Sequence, residues 1–235
     1  MYESRHINGL TMYVRPHTTD DKVIDEVIKR NCYQKKSIGF FIEEGDRWLD
    51  LGGNIGTFAL LVLSKGGTVH TVEPEPDNIK LLRHNLEANF KSGWSIGEYC
   101  VSTNTNPTES LYLCKGDYNK YMHKLGKVRG RSSIEVDNIN ILALLNEYNF
   151  NSIKIDIEGS EIEILETITH QMWSDYGIDK LVFEYSFNCD ASIARFIKIV
   201  RQLEKHFKTV KYNRVNESEE FFTYWPNGVL VHCIV

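Results

Sequence analysis

Apolar residues recur along this chain with two periods, and segments of one period alternate with segments of the other. Apolar side chains at every second position predict strands, and apolar side chains three or four positions apart predict helices. Leu49 and Leu51 flank an acidic residue in one predicted strand, and Ile55, Phe58 and Ala59 begin the helical spacing that follows. Because strands alternate with helices, we predict an α/β fold with a mostly parallel sheet.

In chain order, the pattern predicts a helix from about 21 to 30, a strand near 47–51, a helix near 55–65, a strand near 68–73, a helix near 77–90, strands near 95–102 and 110–114, a helix near 139–148, a strand at 152–158, a helix near 160–171, a strand at 181–185, a helix at 191–206, and strands near 207–213 and 228–234. A capping box at residues 18–21 and a cap at Asp77 are expected to open two of these helices. Residues 1–45 are expected to form a lead-in with one helix, and residues 46–235 the main domain, the two making one compact unit.

A glycine-rich turn follows the first predicted strand of the main domain. Gly52, Gly53 and Gly56 lack a Cβ, so the backbone can turn tightly there and lie against a ligand. The dinucleotide fingerprint G-x-G-x-x-G fails in both registers, because a residue other than glycine stands at its third position. What remains is Asp50 followed by small residues at alternate positions, among them Asn54, which tolerates a left-handed backbone.

An acid ends the next predicted strand, at Glu73, and Pro74 follows it. A carboxylate in that position can accept hydrogen bonds from both hydroxyls of a ribose. The spacing therefore predicts a site for an adenosine-containing cofactor, with an ordinary strand–helix turn as the alternative. The turn resembles the first motif of class I S-adenosylmethionine (SAM) methyltransferases, which implies that Asp50 lies near the methionine part of SAM. Asn54 would contact the methionine carboxylate or only hold the turn.

The strand predicted at 152–158 carries charge where apolar residues are expected. Its isoleucines point to one face, and Lys154, Asp156 and Glu158 point to the other. Central strands of parallel sheets are usually apolar on both faces, and unpaired charge is costly to bury. Asp156 falls near the carboxyl end, where open α/β sheets bind ligands, so we predict a functional role for it. The alternative is an ion pair of Lys154 with Asp156 or Glu158 that only stabilises the fold.

Several motifs in order resemble the FkbM-type family of SAM-dependent O-methyltransferases. They lie at residues 14–20, 50–56, 72–78, 85, 89, 136–137, 144–145, 154–161 and 182–185. The resemblance spans roughly residues 14–187 and implies a Rossmann-like class I methyltransferase fold, with a mostly parallel seven-stranded sheet, an antiparallel final hairpin and helices on both faces. It also implies methylation of hydroxyl groups on sugars, glycolipids or polyketides. Ser186 departs from the family pattern, because a histidine often stands there.

The resemblance and the spacing together give a predicted site. The predicted SAM-binding residues are Asp50, Gly52, Gly53, Asn54, Gly56, Glu73, Pro74, Val101, Ser102 and Asp156. Methyl transfer to a hydroxyl also needs a group that removes the proton. Asp156 is the first choice as base, with Glu184 as its partner and Lys154 as a further catalytic candidate. A divalent cation, Mg²⁺ or Mn²⁺, held by Asp156 and Glu184 is a second possibility, because hard cations favour carboxylate ligands.

Other segments leave alternatives open. Val101 and Ser102 end a predicted strand where relatives line the adenine, or they are a buried strand end. Residues 115–131 combine lysines and arginines with tyrosines, which suits a sugar or a phosphate-bearing glycan carrier, or a solvated loop. Arg15 would reach an anionic group or lie at the surface.

Composition narrows the function classes. The net charge of −5 argues against a protein that grips nucleic acid through its phosphates, so no nucleic acid is expected as partner. No apolar run approaches the ~18 residues that span a bilayer, and a signal-peptide core is absent. The five cysteines are scattered and predict neither a zinc site nor disulfides, which favours a reducing, cytoplasmic location. A sugar or glycan O-methyltransferase is the predicted function; an RNA methyltransferase and a non-catalytic SAM-binding module are the alternatives.

Overall fold

The computed structural model describes residues 2–114, 124–125, 131–157, 160–186, 190–214 and 228–235. In chain order its elements are β1 (Glu3–Ile7), β2 (Leu10–Val14), α1 (Asp20–Ile24), β3 (Arg47–Leu51), α2 (Thr57–Ser64), β4 (Thr68–Val72), α3 (Pro76–Asn89), β5 (Trp94–Gly97), β6 (Cys100–Ser102), β7 (Thr108–Tyr112), β8 (Lys124–Leu125), β9 (Ser133–Asn140), α4 (Ile141–Glu147), β10 (Ser152–Ile155), α5 (Glu161–Thr167), α6 (His170–Asp175), β11 (Lys180–Ser186), α7 (Asp190–Leu203), β12 (Thr209–Arg214) and β13 (Gly228–Ile234). A π-helical segment, Asp25–Lys29, continues α1, and Lys36–Ile38 form a short 3₁₀ turn.

The central sheet has seven strands in the order β5–β4–β3–β10–β11–β13–β12. The first five run parallel, and β13 runs antiparallel to both of its neighbours. The prediction of a mostly parallel seven-stranded sheet that ends in an antiparallel hairpin is therefore confirmed. In this register Asp50 lies between Thr71 of β4 and Lys154 of β10, so polar residues of three strands meet near one edge.

Helices cover both faces of this sheet, as predicted. On one face, here called the lead-in face, α1, α2 and α3 pack with the first hairpin in a core that includes Met12, Ile24, Trp48, Phe58 and Leu82. On the opposite face, α4 to α7 contribute to a second core that includes Leu144, Ile164, Trp173 and Phe196. Within the described residues, no helix is both long and apolar enough to cross a membrane.

The lead-in contains more structure than its sequence predicted. Strands β1 and β2 form an antiparallel hairpin, and the side chains of Asn85 and Asn89 on α3 bond the backbone of β2. Tyr33 is buried in the same core as this hairpin and packs edge-on against Phe58 of α2, with ring centroids 5.2 Å apart. The lead-in therefore reaches the part of the sheet where the glycine turn lies.

The predicted strand at 95–102 is wrong as a single element. Strand β5 ends at Gly97, over which the ring of Tyr99 packs so closely that a Cβ there would collide with it. The chain then enters a second sheet of order β6–β9–β7–β8, in which β6 runs parallel to β9. Strand β9 was not predicted, although Ile134 and Val136 alternate with polar residues in its first half.

Two helix starts and one helix end also differ from the predictions. Thr19 precedes α1 without making a side-chain capping bond, so the capping box is wrong. Glu75, and not Asp77, caps α3 by accepting a hydrogen bond from the Asn78 backbone. The helix predicted at 160–171 is two helices, because α5 ends at Thr167 and the Thr169 side chain caps α6.

Candidate active site

The glycine turn connects β3 to α2 through three residues with left-handed backbone. Gly52, Asn54 and Gly56 have φ angles of 92°, 49° and 87°. A Cβ at Gly52 would collide with the backbone oxygen of Asp156, so only glycine fits there. The Asp156 amide in turn donates to the Leu51 oxygen at 3.0 Å. The turn and the strand end that carries Asp156 are therefore in direct contact.

Asp50 and Lys154 form a buried ion pair beneath the turn. Lys154 Nζ lies 3.0 Å from Asp50 Oδ1 and donates to the Gly52 oxygen at 2.9 Å, and Thr71 donates to Asp50 Oδ2 at 2.8 Å. Burial alone would lower the pKa of Lys154, but the negative charges of Asp50 and Asp156 outweigh it and raise that pKa. Lys154 is thus a cation that ties the backbone of the turn to the sheet.

Glu73 is a buried carboxylate at the end of β4. Its Oε2 accepts from the Asn54 amide at 2.8 Å, and its Oε1 accepts from the Glu75 amide at 3.1 Å and from Asn78 Nδ2 at 3.2 Å. Burial raises the pKa of Glu73 to about 7, although these three donors oppose the shift. Since a carboxylate offers about four acceptor positions, one position on Oε2 remains for a ligand hydroxyl.

Asp156 follows β10 at the carboxyl edge of the sheet. The Tyr33 hydroxyl donates to its Oδ2 at 2.6 Å, and Lys154 Nζ lies 3.8 Å from the same oxygen. The Asp156 side chain keeps 28% of its surface exposed, whereas Tyr33 is buried. Burial and the Asp156 charge raise the pKa of Tyr33 well above its ordinary value, so the phenol stays protonated and acts as a donor.

Glu184 lies on the neighbouring strand. Because Ile155 pairs with Phe183 in the register of β10 and β11, Asp156 and Glu184 follow at the same level and on the same face. The charge of Glu184 contributes to the raised pKa of Tyr33, and Asp156 contributes to the raised pKa of Glu26, for which burial is the larger cause. Among the described residues, no group of three His, Cys, Asp or Glu side chains is arranged to hold a metal ion.

The other predicted residues have different surroundings. Pro74 is half-buried beside Glu73. Val101 and Ser102 lie in β6, in the second sheet; Val101 belongs to the core of the opposite face, and Ser102 Oγ accepts from the Asn104 amide at 3.3 Å. Arg15 is mostly buried, and three of the five N–H groups of its guanidinium bond Asp20 and Asn78.

Two polar atoms of the turn have no hydrogen-bond partner among the described residues. Both atoms, Asn54 Oδ1 and Thr57 Oγ1, are buried. Buried polar atoms are normally paired, so these two atoms are candidates for bonds to a ligand. The Asn54 oxygen can accept from an amino group of a ligand, and the Thr57 hydroxyl can donate to a carboxylate group.

A family model described as the methyltransferase FkbM domain matches residues 50–208, which include the turn, Glu73, Asp156 and Glu184. The chain belongs to the FkbM methyltransferase family. No curated protein matches the chain.

Solved structures are similar to this FkbM methyltransferase in fold. One is the tRNA (uracil-54, C5)-methyltransferase of Pyrococcus abyssi in complex with S-adenosyl-L-homocysteine, with 13% identity and a TM-score of 0.50 over 100% of this chain and 44% of that chain. Another is the precorrin 8w decarboxylase of Methanobacterium thermoautotrophicum, with 12% identity and a TM-score of 0.50 over 94% of this chain and 93% of that chain. The fold is that of class I SAM methyltransferases, and this family is SAM-dependent.

Sequence reasoning missed Tyr33, whose partner Asp156 is 123 positions away. Tyr33 and Arg15 both lie outside the residues that the family model matches, and only the structure reveals the partners of either residue. Glu158 and the residues at 115–123 and 126–130 of the predicted basic stretch lie outside the described residues.

Proposed function

We propose that this methyltransferase moves the methyl group of SAM to a hydroxyl of a sugar or glycan, with Asp156 as the base. The observation that carries the proposal is the position of Asp156. Its backbone touches the glycine turn at Gly52, and its carboxylate is held by Tyr33 and partly exposed. A base in this place is next to the turn that binds the cofactor and open to an acceptor.

The cofactor-binding residues have distinct roles in this proposal. Glu73 accepts a ribose hydroxyl at its remaining acceptor position, and Asn54 and Thr57 pair with the methionine end. Asp50, Gly52, Gly53, Gly56 and Pro74 shape the turn, and Val101 and Ser102 line the adenine. When bound, SAM supplies an activated methyl group on its sulfonium.

The chain supplies the proton transfer and the alignment. A sugar hydroxyl is a weak acid, so the Asp156 carboxylate takes its proton as the oxygen reacts. The Tyr33 hydroxyl fixes Oδ2 of Asp156 by a hydrogen bond. Lys154 bonds the backbone of the turn, and its positive charge lies close to the same Asp156 carboxylate. Lys154 is proposed as a positioning residue, because its ammonium is buried against Asp50.

The charges near Asp156 favour an uncharged reacting group over a phosphodiester. Glu26 and Glu184 add negative charge beside Asp156, whereas Lys154 is already paired with Asp50. Like charges repel an anionic acceptor at this position. A 2′-hydroxyl of RNA lies next to a phosphodiester and is disfavoured at this position; a phosphate-bearing glycan carrier would bind with its phosphate away from the reacting hydroxyl.

A divalent cation held by Asp156 and Glu184 with oxygens of the acceptor is the alternative form of the same proposal. Removal of metal with a chelator tests it: loss of turnover, restored by Mg²⁺ or Mn²⁺, would assign the cation. Unchanged turnover would leave Asp156 as the base and reject the metal.

The function is tested with labelled SAM, offered to glycan and RNA pools in parallel. We expect label in the glycan pool. In Asp156→Asn, which keeps the shape but loses the charge, turnover should fall ~10²–10⁴-fold while S-adenosylhomocysteine (SAH) binding survives. Asp175→Asn, at an exposed position on α6, is the matched control.

Each other outcome decides against part of the proposal. Label in RNA would favour an RNA methyltransferase. SAM binding without transfer to either pool would favour a non-catalytic module. Near-normal turnover of Asp156→Asn with the true acceptor would refute Asp156 as base.

The cofactor assignment has its own test by calorimetric titration. Glu73→Ala should lose at least ~1.4 kcal/mol of SAM affinity, a tenfold change, because the ribose hydroxyl loses its acceptor. Glu98→Ala, an exposed glutamate paired with Arg83, should bind like the parent. Unchanged SAM affinity in folded Glu73→Ala would refute the assignment.

A further inference from the structure

A continuous chain of buried and partly buried hydrogen bonds connects the lead-in to Glu73. Asp20 binds the Arg15 guanidinium at two positions, with Nε to Oδ2 at 3.0 Å and Nη2 to Oδ1 at 2.8 Å. Arg15 Nη1 donates to Asn78 Oδ1 at 2.9 Å, and Asn78 Nδ2 donates to Glu73 Oε1 at 3.2 Å. The Arg15 side chain is 12% exposed and that of Asp20 is 2% exposed.

The direction of these bonds fixes the Asn78 amide. A guanidinium can only donate, so it requires the oxygen of the amide on its own side. The NH₂ group of Asn78 must then face Glu73, where it meets a carboxylate that can only accept. Without Arg15, the Asn78 oxygen would lose this charged donor, and the amide would be held less firmly in its place beside Glu73.

We infer that Arg15 is a positioning residue for cofactor binding: acting through Asn78, it turns the Glu73 carboxylate so that its remaining acceptor position faces a ribose hydroxyl. The inference rests on the proposed function, because it takes Glu73 as the ribose-binding acid. It makes the lead-in part of the cofactor site. Occupation of Oε1 by Asn78 and the Glu75 amide leaves Oε2 for the ligand.

The test compares two probes, SAH and its 2′,3′-dideoxyribose analogue, by calorimetry. The parent should bind SAH at least about tenfold more tightly than the analogue, because a hydrogen bond to a charged group is worth about 1.5–3 kcal/mol. Arg15→Lys keeps the charge beside Asp20, but an ammonium lacks the planar fork that bonds both oxygens of Asp20 and the Asn78 amide together. We expect its preference for SAH to shrink to about threefold or less.

Two further variants complete the design. Asn78→Ser removes the intermediate amide and leaves the Arg15–Asp20 pair in place, so it decides the question if Arg15→Lys does not fold. Arg5→Lys is the matched control, because Arg5 also pairs with two carboxylates of the lead-in, Glu3 and Asp21, but at the surface.

The ratio of the two affinities separates positioning from a structural role. A loss of affinity that is equal for both probes, or a preference that equals the parent's in both variants, would overturn the inference while the function stands. A parent that does not distinguish the probes would overturn the assignment of Glu73 itself, and the inference with it.

Discussion

At the scale of single residues, two buried carboxylates of the same site are stabilised by different means. Asp50 lies beside the Lys154 cation, which offsets the cost of burying its charge. Glu73 has only neutral donors, the amides of Asn54, Glu75 and Asn78. Neutral donors offset burial incompletely, and the pKa of Glu73 is therefore raised to about 7.

This shift predicts a pH dependence of stability. As pH rises above the ordinary glutamate value of 4.5, the unfolded chain releases the Glu73 proton while the folded protein keeps it until about pH 7. The free energy of unfolding should therefore fall over that interval by at most about 3 kcal/mol. Above about pH 7, Glu73 should cause no further change in it.

Denaturant titration at a series of pH values measures this effect. Glu73→Gln cannot ionise, so this part of the slope should be missing from the variant even if its overall stability differs. Equal slopes for parent and variant between ~pH 4.5 and ~pH 7 would contradict the prediction.

Tyr33 gives a second prediction at this scale. Tyr33→Phe keeps the ring against Phe58 but removes the donor to Asp156 Oδ2. Because a misaligned base costs much of its effect, turnover should fall about tenfold to a hundredfold with SAH affinity unchanged. Tyr176→Phe, whose hydroxyl bonds the exposed Asn146, is the control. Parent-like turnover of Tyr33→Phe would show that Tyr33 does not position the base.

At the scale of elements, α3 connects three parts of the site. Glu75 and Asn78 at its start bind Glu73, Asn85 bonds the turn at Ile55, and Asn85 with Asn89 covers β2. Each asparagine side chain bonds both a backbone N–H and a C=O of β2, as a neighbouring strand would. The helix thus satisfies the open edge of β2 without another strand.

Asn85→Ala should therefore destabilise the protein substantially. It removes bonds to the Tyr13 amide, the Tyr13 oxygen and the Ile55 oxygen and leaves buried groups unpaired. We expect a loss of about 3 kcal/mol in the free energy of unfolding by denaturant titration. Asn146→Ala, which removes an exposed bond, should stay within about 0.5 kcal/mol of the parent. Equal effects of the two changes would refute this account of α3.

At the scale of the whole molecule, the lead-in and the main domain share one core. Met12, Val14, Ile24 and Phe40 belong to the same buried cluster as Trp48 of the central sheet. Without the lead-in, this face of the sheet would be an exposed apolar surface. We therefore propose that residues 1–45 and 46–235 fold together as one unit.

A fragment of residues 46–235 tests this proposal. It should lack a cooperative thermal transition and the near-ultraviolet circular dichroism of packed aromatic residues. The free energy that the missing apolar contacts contribute exceeds a typical net stability of ~5–15 kcal/mol. A fragment that melts cooperatively and binds SAH would show that the lead-in is a separable module.

The sequence by itself determined the parts of this protein that depend on local spacing. The alternation of strands and helices gives the parallel sheet, and short motifs give the turn after Asp50, the acid at Glu73 and the FkbM family. These features are readable because each is specified by residues within a few positions of one another. The location in the cell and the acceptor remain predictions.

Only the tertiary structure decided which side chains meet. It pairs Lys154 most closely with Asp50, 104 positions earlier, and places the predicted partner Asp156 at 3.8 Å from the same ammonium. It also brings Tyr33 to Asp156 and Arg15 to Asn78. It also splits the predicted strand at 95–102 between two sheets. Such contacts leave no period in the sequence, because they arise where separate elements meet. The pairing of β3 with β10 creates the contact of Asp50 with Lys154, and the packing of the lead-in creates those of Tyr33 and Arg15.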